Sequence, residues 1–228
     1  MKDYCMICLE KIIESLTWSQ LILEGQSRIC SQCQVELEKV SADHCQICSR
    51  PTEERKCYDC IRWQAYFNGQ DILKRNLSLF TYNDFMKDIM YRWKYRGDYA
   101  IVYAFEKDWQ RLYKQFVNQL DQDVILVPIP LSDRRLKERH FNQASQLAKI
   151  LPGKTCHLLE RTESEKQAKK GRKQRMEMTN PFKVKQKYEG HILLIDDLYT
   201  TGRTLRHAAQ ACKDKGAKSV SSLTLVRS

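Results

Sequence analysis

Short apolar runs and amphipathic stretches alternate along most of the chain. Apolar runs bounded by polar or turn-forming residues predict strands, which fall at Leu77–Tyr82, Val124–Ile129, Cys156–Leu159, His191–Ile195 and Val220–Val226. Apolar residues at helical spacing predict helices, which fall from Asn83 past Trp93, at about Tyr99–Leu120, and at Asn142–Leu151 and Arg203–Lys215. Strands that alternate with helices indicate an α/β fold, in which a mostly parallel sheet carries helices on its faces.

Two parts of the chain depart from this pattern. Residues 161–187 follow neither the strand nor the helix period and are rich in Lys, Arg, Gln and Glu, so we expect a long mobile loop there. Residues 1–62 hold eight of the 10 cysteines, and the composition changes at Trp63. We therefore expect a small cysteine-rich domain at residues 1–62 and the α/β domain at residues 63–228.

The eight cysteines form four pairs, each with two residues between its members. Such a pair makes a tight knuckle that points two thiolates at one metal ion, and two knuckles complete the four-cysteine site typical of structural Zn²⁺. A reducing compartment disfavours disulfides, and the spacing does not favour an iron–sulfur cluster. Two structural zinc ions are therefore predicted, with the ligands Cys5, Cys8, Cys30, Cys33, Cys45, Cys48, Cys57 and Cys60.

The pairing of the four knuckles is open from the sequence. In the simplest arrangement, the first two knuckles share one zinc ion and the last two share the other, whereas an interleaved arrangement would join the first knuckle to the third. Residues 1–62 carry a formal charge of −2, and each four-thiolate zinc centre adds about −2 more. A surface of this sign favours docking to another protein over binding nucleic acid.

The basic residues of the chain lie in the second part. The net charge is +11, of which residues 63–228 contribute +13. This charge indicates a polyanionic partner such as single-stranded DNA, and the alternative is a basic surface that serves solubility. Tyr91, Trp93 and Tyr95 are candidate stacking faces for bases, although core packing is expected for Trp93. The candidate nucleic-acid-binding residues are Arg134, Arg135, Lys137, Arg139, Lys169, Lys170, Arg172, Lys173 and Arg175.

A candidate phosphate site follows the strand Ile192–Ile195. Asp196 and Asp197 come next, and then a turn with three threonines and Gly202 leads into a helix. Ligands bind at the carboxyl ends of parallel strands, and a helix N-terminus offers N–H groups and a positive dipole end to a phosphate. Two carboxylates beside a phosphate would repel it, so they are expected to face ribose hydroxyls or a bound Mg²⁺.

Residues 192–204 resemble the phosphoribosyl diphosphate (PRPP) motif of type I phosphoribosyltransferases: four apolar residues, two acids, two variable positions, Thr-Thr-Gly, one variable position and Thr. The resemblance implies a type I phosphoribosyltransferase-like sheet at residues 63–228, with PRPP and Mg²⁺ as ligands. It implies that Asp196 and Asp197 hold the ribose hydroxyls. It also implies that the 5′-phosphate is wrapped by Thr200, Thr201, Gly202, Arg203 and Thr204. Residues 128–132 are the candidate diphosphate loop.

The whole chain resembles the ComF/ComFC competence family, in which cysteine pairs precede such a domain. Three further stretches carry the resemblance: Tyr91–Asp98, Val127–Pro130 followed by Arg135-Leu136 and Arg139–Ala144, and the set Arg161, Gln167 and Arg175. His140 departs from the family, which usually has glycine at this position, and Lys170 and Met178 depart from its usual leucine and asparagine. These departures affect the expected loop geometry and leave the expected fold unchanged.

Membership would imply a competence accessory protein that handles incoming single-stranded DNA on the cytoplasmic side of the uptake machinery, with the competence DNA helicase/translocase as partner. The alternative is an active phosphoribosyltransferase that moves the phosphoribosyl group of PRPP to an unidentified acceptor. In that case the basic residues of 161–175 would cover the diphosphate. No stretch approaches the roughly 18–20 apolar residues of a membrane span. The first residues lack the apolar run of a secretory signal, so a cytoplasmic location is expected.

Overall fold

The computed structural model describes residues 4–12, 28–120, 123–162 and 180–228. Its centre is a four-stranded parallel sheet. The strands are β1 (Asn76–Thr81), β2 (Val124–Pro128), β5 (His191–Tyr199) and β6 (Ser219–Arg227), in the spatial order β1-β6-β5-β2. The four central strand predictions are therefore confirmed, and so is the expected parallel sheet flanked by helices.

Seven α-helices and one 3-10 helix are present among the described residues. They are α1 (Ser31–Glu36), α2 (Tyr58–Tyr66), α3 (Asp84–Tyr95), the 3-10 helix (Tyr99–Phe105), α4 (Glu106–Val117), α5 (Asp133–Arg139), α6 (Gln143–Lys149) and α7 (Arg203–Asp214). The predicted single helix at Tyr99–Leu120 is thus divided at Phe105, where Glu106 begins α4. Side chains of Asn83 and Asn142 accept hydrogen bonds from Met86 N and Ala144 N, which caps α3 and α6.

The prediction of a loop at residues 161–187 was wrong at both ends of that segment. Strand β3 (Leu159–Arg161) pairs in antiparallel fashion with β4 (Phe182–Val184). Buried Phe182 anchors β4, but a strand of three residues with Lys183 at its centre is too short for its periodicity to be recognised. The expected strand at Cys156–Leu159 begins only at Leu159. Residues 163–179, to which the rest of the loop prediction applies, lie outside the described residues.

The cysteine-rich part packs directly on the α/β part. Cys5, Ile7 and Cys33 belong to the same buried cluster as Phe80 and Trp93. Helix α2 runs through the predicted boundary between residues 62 and 63. The division into residues 1–62 and 63–228 therefore stays a prediction based on composition. Buried side chains of the two parts belong to the same cluster.

None of the helices in the described ranges is long and apolar enough to cross a membrane.

Candidate functional site

The cysteines form two separate four-thiol groups in the sequential arrangement. One group is Cys5, Cys8, Cys30 and Cys33, and the other is Cys45, Cys48, Cys57 and Cys60; in each, all sulfur atoms lie within 4.8 Å of one another. A tetrahedral zinc ion with Zn–S bonds of about 2.3 Å places its sulfurs about 3.8 Å apart. The distances Cys8 Sγ–Cys30 Sγ, 3.7 Å, and Cys48 Sγ–Cys57 Sγ, 3.5 Å, are close to that value. Both groups therefore fit zinc, whereas the interleaved pairing does not match the structure.

The two groups differ in exposure. Cys8 is exposed and Cys30 is partly exposed, whereas all four cysteines of the second group are buried. Four sulfur ligands leave no open coordination position for water or substrate, so the role of such ions is structural. The remaining cysteines, Cys156 and Cys212, belong to neither group.

The acidic pair lies beyond the end of a neighbouring strand. Strand β2 ends at Pro128, level with Ile195, whereas β5 continues through Asp196 and Asp197 to Tyr199 against β6. The turn expected after the two acids therefore begins later, since residues 196–199 are still strand. The acidic side chains consequently stand at the carboxyl edge of the sheet, where ligands of parallel sheets bind.

The two carboxylates have different surroundings. Asp197 Oδ2 pairs with Lys94 Nζ at 2.7 Å, and both side chains are largely buried. Burial, and then the negative charge of Asp197, raises the pKa of Asp196 to about 8. A carboxyl group in that condition keeps a proton at neutral pH until a cation displaces it. The pair therefore suits a divalent ion or sugar hydroxyls.

Positive charge surrounds this pair. Burial and the nearby charge of Arg135 lower the pKa of Arg161, while Asp196 opposes that shift, so the three groups interact electrostatically. Arg161 belongs to β3 and Arg135 to α5. An anion beside Asp196 would therefore have two guanidinium groups and Lys94 within its field.

The Thr-Thr-Gly loop (residues 200–202) joins β5 to α7. Gly202 has a φ of 73°, in the left-handed region, and a Cβ atom there would overlap Tyr199 and Arg206. Glycine is thus required at this helix N-cap. Thr200, Thr201 and the first two residues of α7, Arg203 and Thr204, are exposed. The five loop residues predicted to wrap a phosphate are therefore contiguous at the N-terminus of a 12-residue helix.

The Thr-Thr-Gly loop is held in place by side chains that the sequence did not reveal as site residues. Arg206 is fully buried, pairs with Asp71 and donates to Tyr199 Oη at 2.7 Å. Arg227 Nη1 donates to Thr200 O at 2.9 Å, and Trp63 Nε1 donates to Thr201 O at 2.9 Å. No pattern in a single sequence reveals such long-range partners. Lys94, in contrast, could have been identified from the sequence, because it lies in the Tyr91–Asp98 stretch that carries the resemblance.

The predicted basic residues are only partly brought together. Arg134, Arg135 and Lys137 are exposed on α5, and Arg139 at its end lies over the ring of Tyr95, 5.4 Å from its centroid. Tyr91 and Tyr95 are exposed, whereas Trp93 is buried and donates to Gln146, as expected for a core residue. Lys169, Lys170, Arg172, Lys173 and Arg175 lie outside the described residues.

The fold and the loop together define the class of the α/β part. Residues 141–228 match the family of phosphoribosyl transferase domains. Over its full length the chain is 40% identical to Competence protein ComFC of Bacillus subtilis (strain 168), covering 96% of that protein. It is 32% identical to Competence protein ComFC of Streptococcus pneumoniae (strain ATCC BAA-255 / R6), with 98% of this chain and 99% of that protein covered. The chain belongs to the ComFC competence protein family.

Proposed function

We propose that the chain is a competence accessory protein that handles incoming single-stranded DNA and binds PRPP with Mg²⁺ at the carboxyl edge of its sheet. The acidic pair beside the Thr-Thr-Gly loop is the observation that carries the PRPP part. Asp196 and Asp197 would face the ribose hydroxyls and the ion, and Thr200 to Thr204 would hold the 5′-phosphate. The proposed location is the cytoplasmic side of the uptake machinery.

The PRPP part is tested by calorimetry of the zinc-loaded full chain with PRPP, with and without Mg²⁺. The double variant Asp196→Asn/Asp197→Asn should bind at least about tenfold more weakly, because each substitution removes a charged acceptor. Asp88→Asn/Asp214→Asn, at exposed positions on α3 and at the end of α7, is the charge-matched control and should bind as the parent does. Equal affinity of the parent and the acidic-pair variant would remove these residues from the site.

The DNA part is supported by a basic helix beside exposed tyrosines. Helices α3 and α5 are in contact, so Arg134, Arg135 and Lys137 lie near Tyr91 and Tyr95. A strand could place its phosphates along α5 and stack its bases on the two rings. The residues predicted at 169–175 would extend the same basic surface in this proposal.

The DNA part is tested by fluorescence anisotropy of a labelled single strand across a range of salt concentrations. Each neutralised phosphate contact contributes a slope of about −0.7 to the logarithmic salt dependence. Arg134→Gln/Arg135→Gln/Lys137→Gln should therefore flatten the slope by about 2. Lys213→Gln/Lys215→Gln/Lys218→Gln removes the same charge where α7 ends and β6 begins and should leave the slope unchanged. Equal slopes for both triple variants would refute this surface.

The competence DNA helicase/translocase is the proposed protein partner, and the cysteine-rich part is the proposed docking surface. That part is acidic overall and exposes large apolar side chains, among them Leu9, Val35 and Tyr58. Co-purification with the helicase should be lost in Val35→Glu and retained in Val35→Ala. Retention in both variants would place the docking surface elsewhere.

Active phosphoribosyl transfer is the second candidate function. Arg135 and Arg161 beside Asp196 would stabilise a departing diphosphate as the phosphoribosyl carbon bonds to an acceptor nucleophile. Product analysis with labelled PRPP, Mg²⁺ and candidate acceptors, including DNA, tests this reaction. Release of diphosphate together with a labelled acceptor would establish it, and binding without release would leave the site a binding platform.

A further inference from the structure

The second cysteine group contacts the Thr-Thr-Gly loop through Arg227. This arginine ends strand β6 and is only 2% exposed. Its Nη2 lies 3.6 Å from Cys48 Sγ, within hydrogen-bonding distance. Its Nη1 donates to Thr200 O at 2.9 Å and to Tyr199 O at 3.2 Å. One guanidinium group therefore joins a metal-ligating sulfur to two consecutive carbonyls of the loop.

A second connection runs through helix α2, which follows Cys57 and contains Cys60. Trp63, one turn beyond Cys60, donates from Nε1 to Thr201 O at 2.9 Å. The guanidinium of Arg206 lies over the same indole ring, 4.7 Å from its centroid. Both knuckles of the second group thus reach the loop, one through Arg227 and one through Trp63.

These contacts determine where the loop amides point. All described peptide bonds are trans, and in a trans peptide the N–H group points opposite to the C=O group. Because Arg227 and Trp63 hold the carbonyls of Thr200 and Thr201 on the side of the cysteines, the amides of Thr201 and Gly202 point to the other side. Neither amide donates to a backbone acceptor in the described part of the chain. An anion on that side would meet two aligned donors.

The anchor is itself rigid, because the knuckle Ile47–Ser49 is bonded to the edge of the sheet. Asn76 N donates to Ile47 O at 2.7 Å, and Ser49 Oγ donates to Asn76 O at 3.0 Å. Ser78 N donates in turn to Ser49 Oγ at 3.2 Å. A metal ion on the second group would therefore fix Cys48 relative to the strands on which the loop is built.

The first cysteine group has different contacts. Its knuckle is reached by Arg92, whose Nη1 donates to Ile7 O, and the adjoining Arg28 pairs with Glu106 at 2.8 Å. These contacts run to α3 and α4.

We propose that zinc at the second group orders the Thr-Thr-Gly loop for phosphate binding, with Arg227 and Trp63 as the positioning residues, and that zinc at the first group does not. This inference rests on the proposed function for the identity of the ligand, PRPP. The order of the loop can be measured without PRPP. The inference about the loop and the proposed function can therefore fail separately.

The test uses the zinc-loaded full chain and two variants. Arg227→Gln removes the guanidinium, and Trp63→Phe removes the indole N–H while keeping a smaller aromatic ring at that position. Arg28→Gln, next to the first group, is the matched control. Amide hydrogen exchange is followed in a peptide covering residues 198–206, PRPP affinity is measured with Mg²⁺ by calorimetry, and zinc content is measured by elemental analysis.

With both zinc ions retained, Arg227→Gln should speed exchange in the peptide of residues 198–206, in which Arg206 N donates to Gly202 O, and should weaken PRPP binding about tenfold or more, because a charged donor to two carbonyls is lost. Trp63→Phe should show the same changes at about threefold to tenfold, as expected for one neutral donor. Arg28→Gln should match the parent in both measurements.

Unchanged exchange and affinity in Arg227→Gln and Trp63→Phe would overturn the inference, and so would equal effects in Arg28→Gln. If the parent binds no PRPP, the proposed function fails, while the exchange rates still decide whether the loop is held as inferred. If Arg227→Gln does not fold, Trp63→Phe decides by the same two measurements.

Discussion

Replacing Asp196 by asparagine should stabilise the fold, and the gain should grow with pH. The folded-state pKa of Asp196 is about 8 against an ordinary 3.8. Between these pH values the folded chain binds more protons than the unfolded chain, so stability falls as pH rises through this window. Asparagine carries no titrating proton and escapes that loss. A residue that weakens its own fold in this way is typical of a functional site.

The magnitude follows from the width of the pH window. One pKa unit corresponds to about 1.4 kcal/mol, so between about pH 5.5 and pH 8 the advantage of Asp196→Asn should grow by at most about 3 kcal/mol. Rearrangement of Lys94 and Asp197 when the proton leaves makes this value an upper limit. Protonation of the zinc-binding thiols affects both proteins equally and cancels in the difference.

Urea unfolding of the zinc-loaded proteins in Mg²⁺-free buffer measures this difference at the two pH values. Asp197→Asn is the control and should be destabilised at both, because it leaves Lys94 without its 2.7 Å partner. A stability difference for Asp196→Asn that does not increase with pH would refute the reasoning, as would an Asp196→Asn protein less stable than the parent at about pH 8.

Three further predictions follow from other parts of the molecule. Elemental analysis should give two zinc ions per chain, and a chelator should remove first the ion of the group that contains exposed Cys8; earlier loss from the buried second group would contradict this order. His140→Gly should raise the free energy of unfolding in urea by about 1 kcal/mol, because His140 holds a φ of 63°; an unchanged midpoint would show that the imidazole compensates. A fragment of residues 63–228 should aggregate in gel filtration and light scattering, because it lacks residues 38–47, which are hydrogen-bonded to the edge strand β1. A folded monomeric fragment would show that this edge does not need to be covered.

The sheet, the acidic pair and the Thr-Thr-Gly loop could be predicted from the sequence because they depend on local patterns. Buried parallel strands are continuous apolar runs, and Ile192–Ile195 is one followed directly by two acids. Helix α5, in contrast, was missed. Six of its seven residues are charged and none is buried, so the helix has no apolar period to detect. His140 ends this helix at a left-handed φ of 63°, a conformation that glycine adopts more readily than other residues.

The support of the site could not be predicted, because it depends on partners far apart in the chain. Trp63 and Thr201 are 138 residues apart, and Arg206 meets Asp71 across 135. A buried arginine resembles a surface arginine in a single sequence, and only the fold brings its acceptors to it. The pairing of the cysteine knuckles could not be predicted for the same reason, and only their positions in the structure decide it.

The cysteine-rich part completes the sheet as well as holding metal. Strand β1 is an edge strand, and residues 38–47 cover its open side: Val40 N donates to Leu79 O, Thr81 N to Glu38 O, and Asn76 N to Ile47 O. An uncovered edge of this kind pairs readily with other chains. Conversely, Cys5, Ile7 and Cys33 belong to one buried cluster with side chains of the α/β part. Because each part covers surface that the other cannot, the free energy of zinc binding must contribute to the folding of the whole chain and not of residues 1–62 alone.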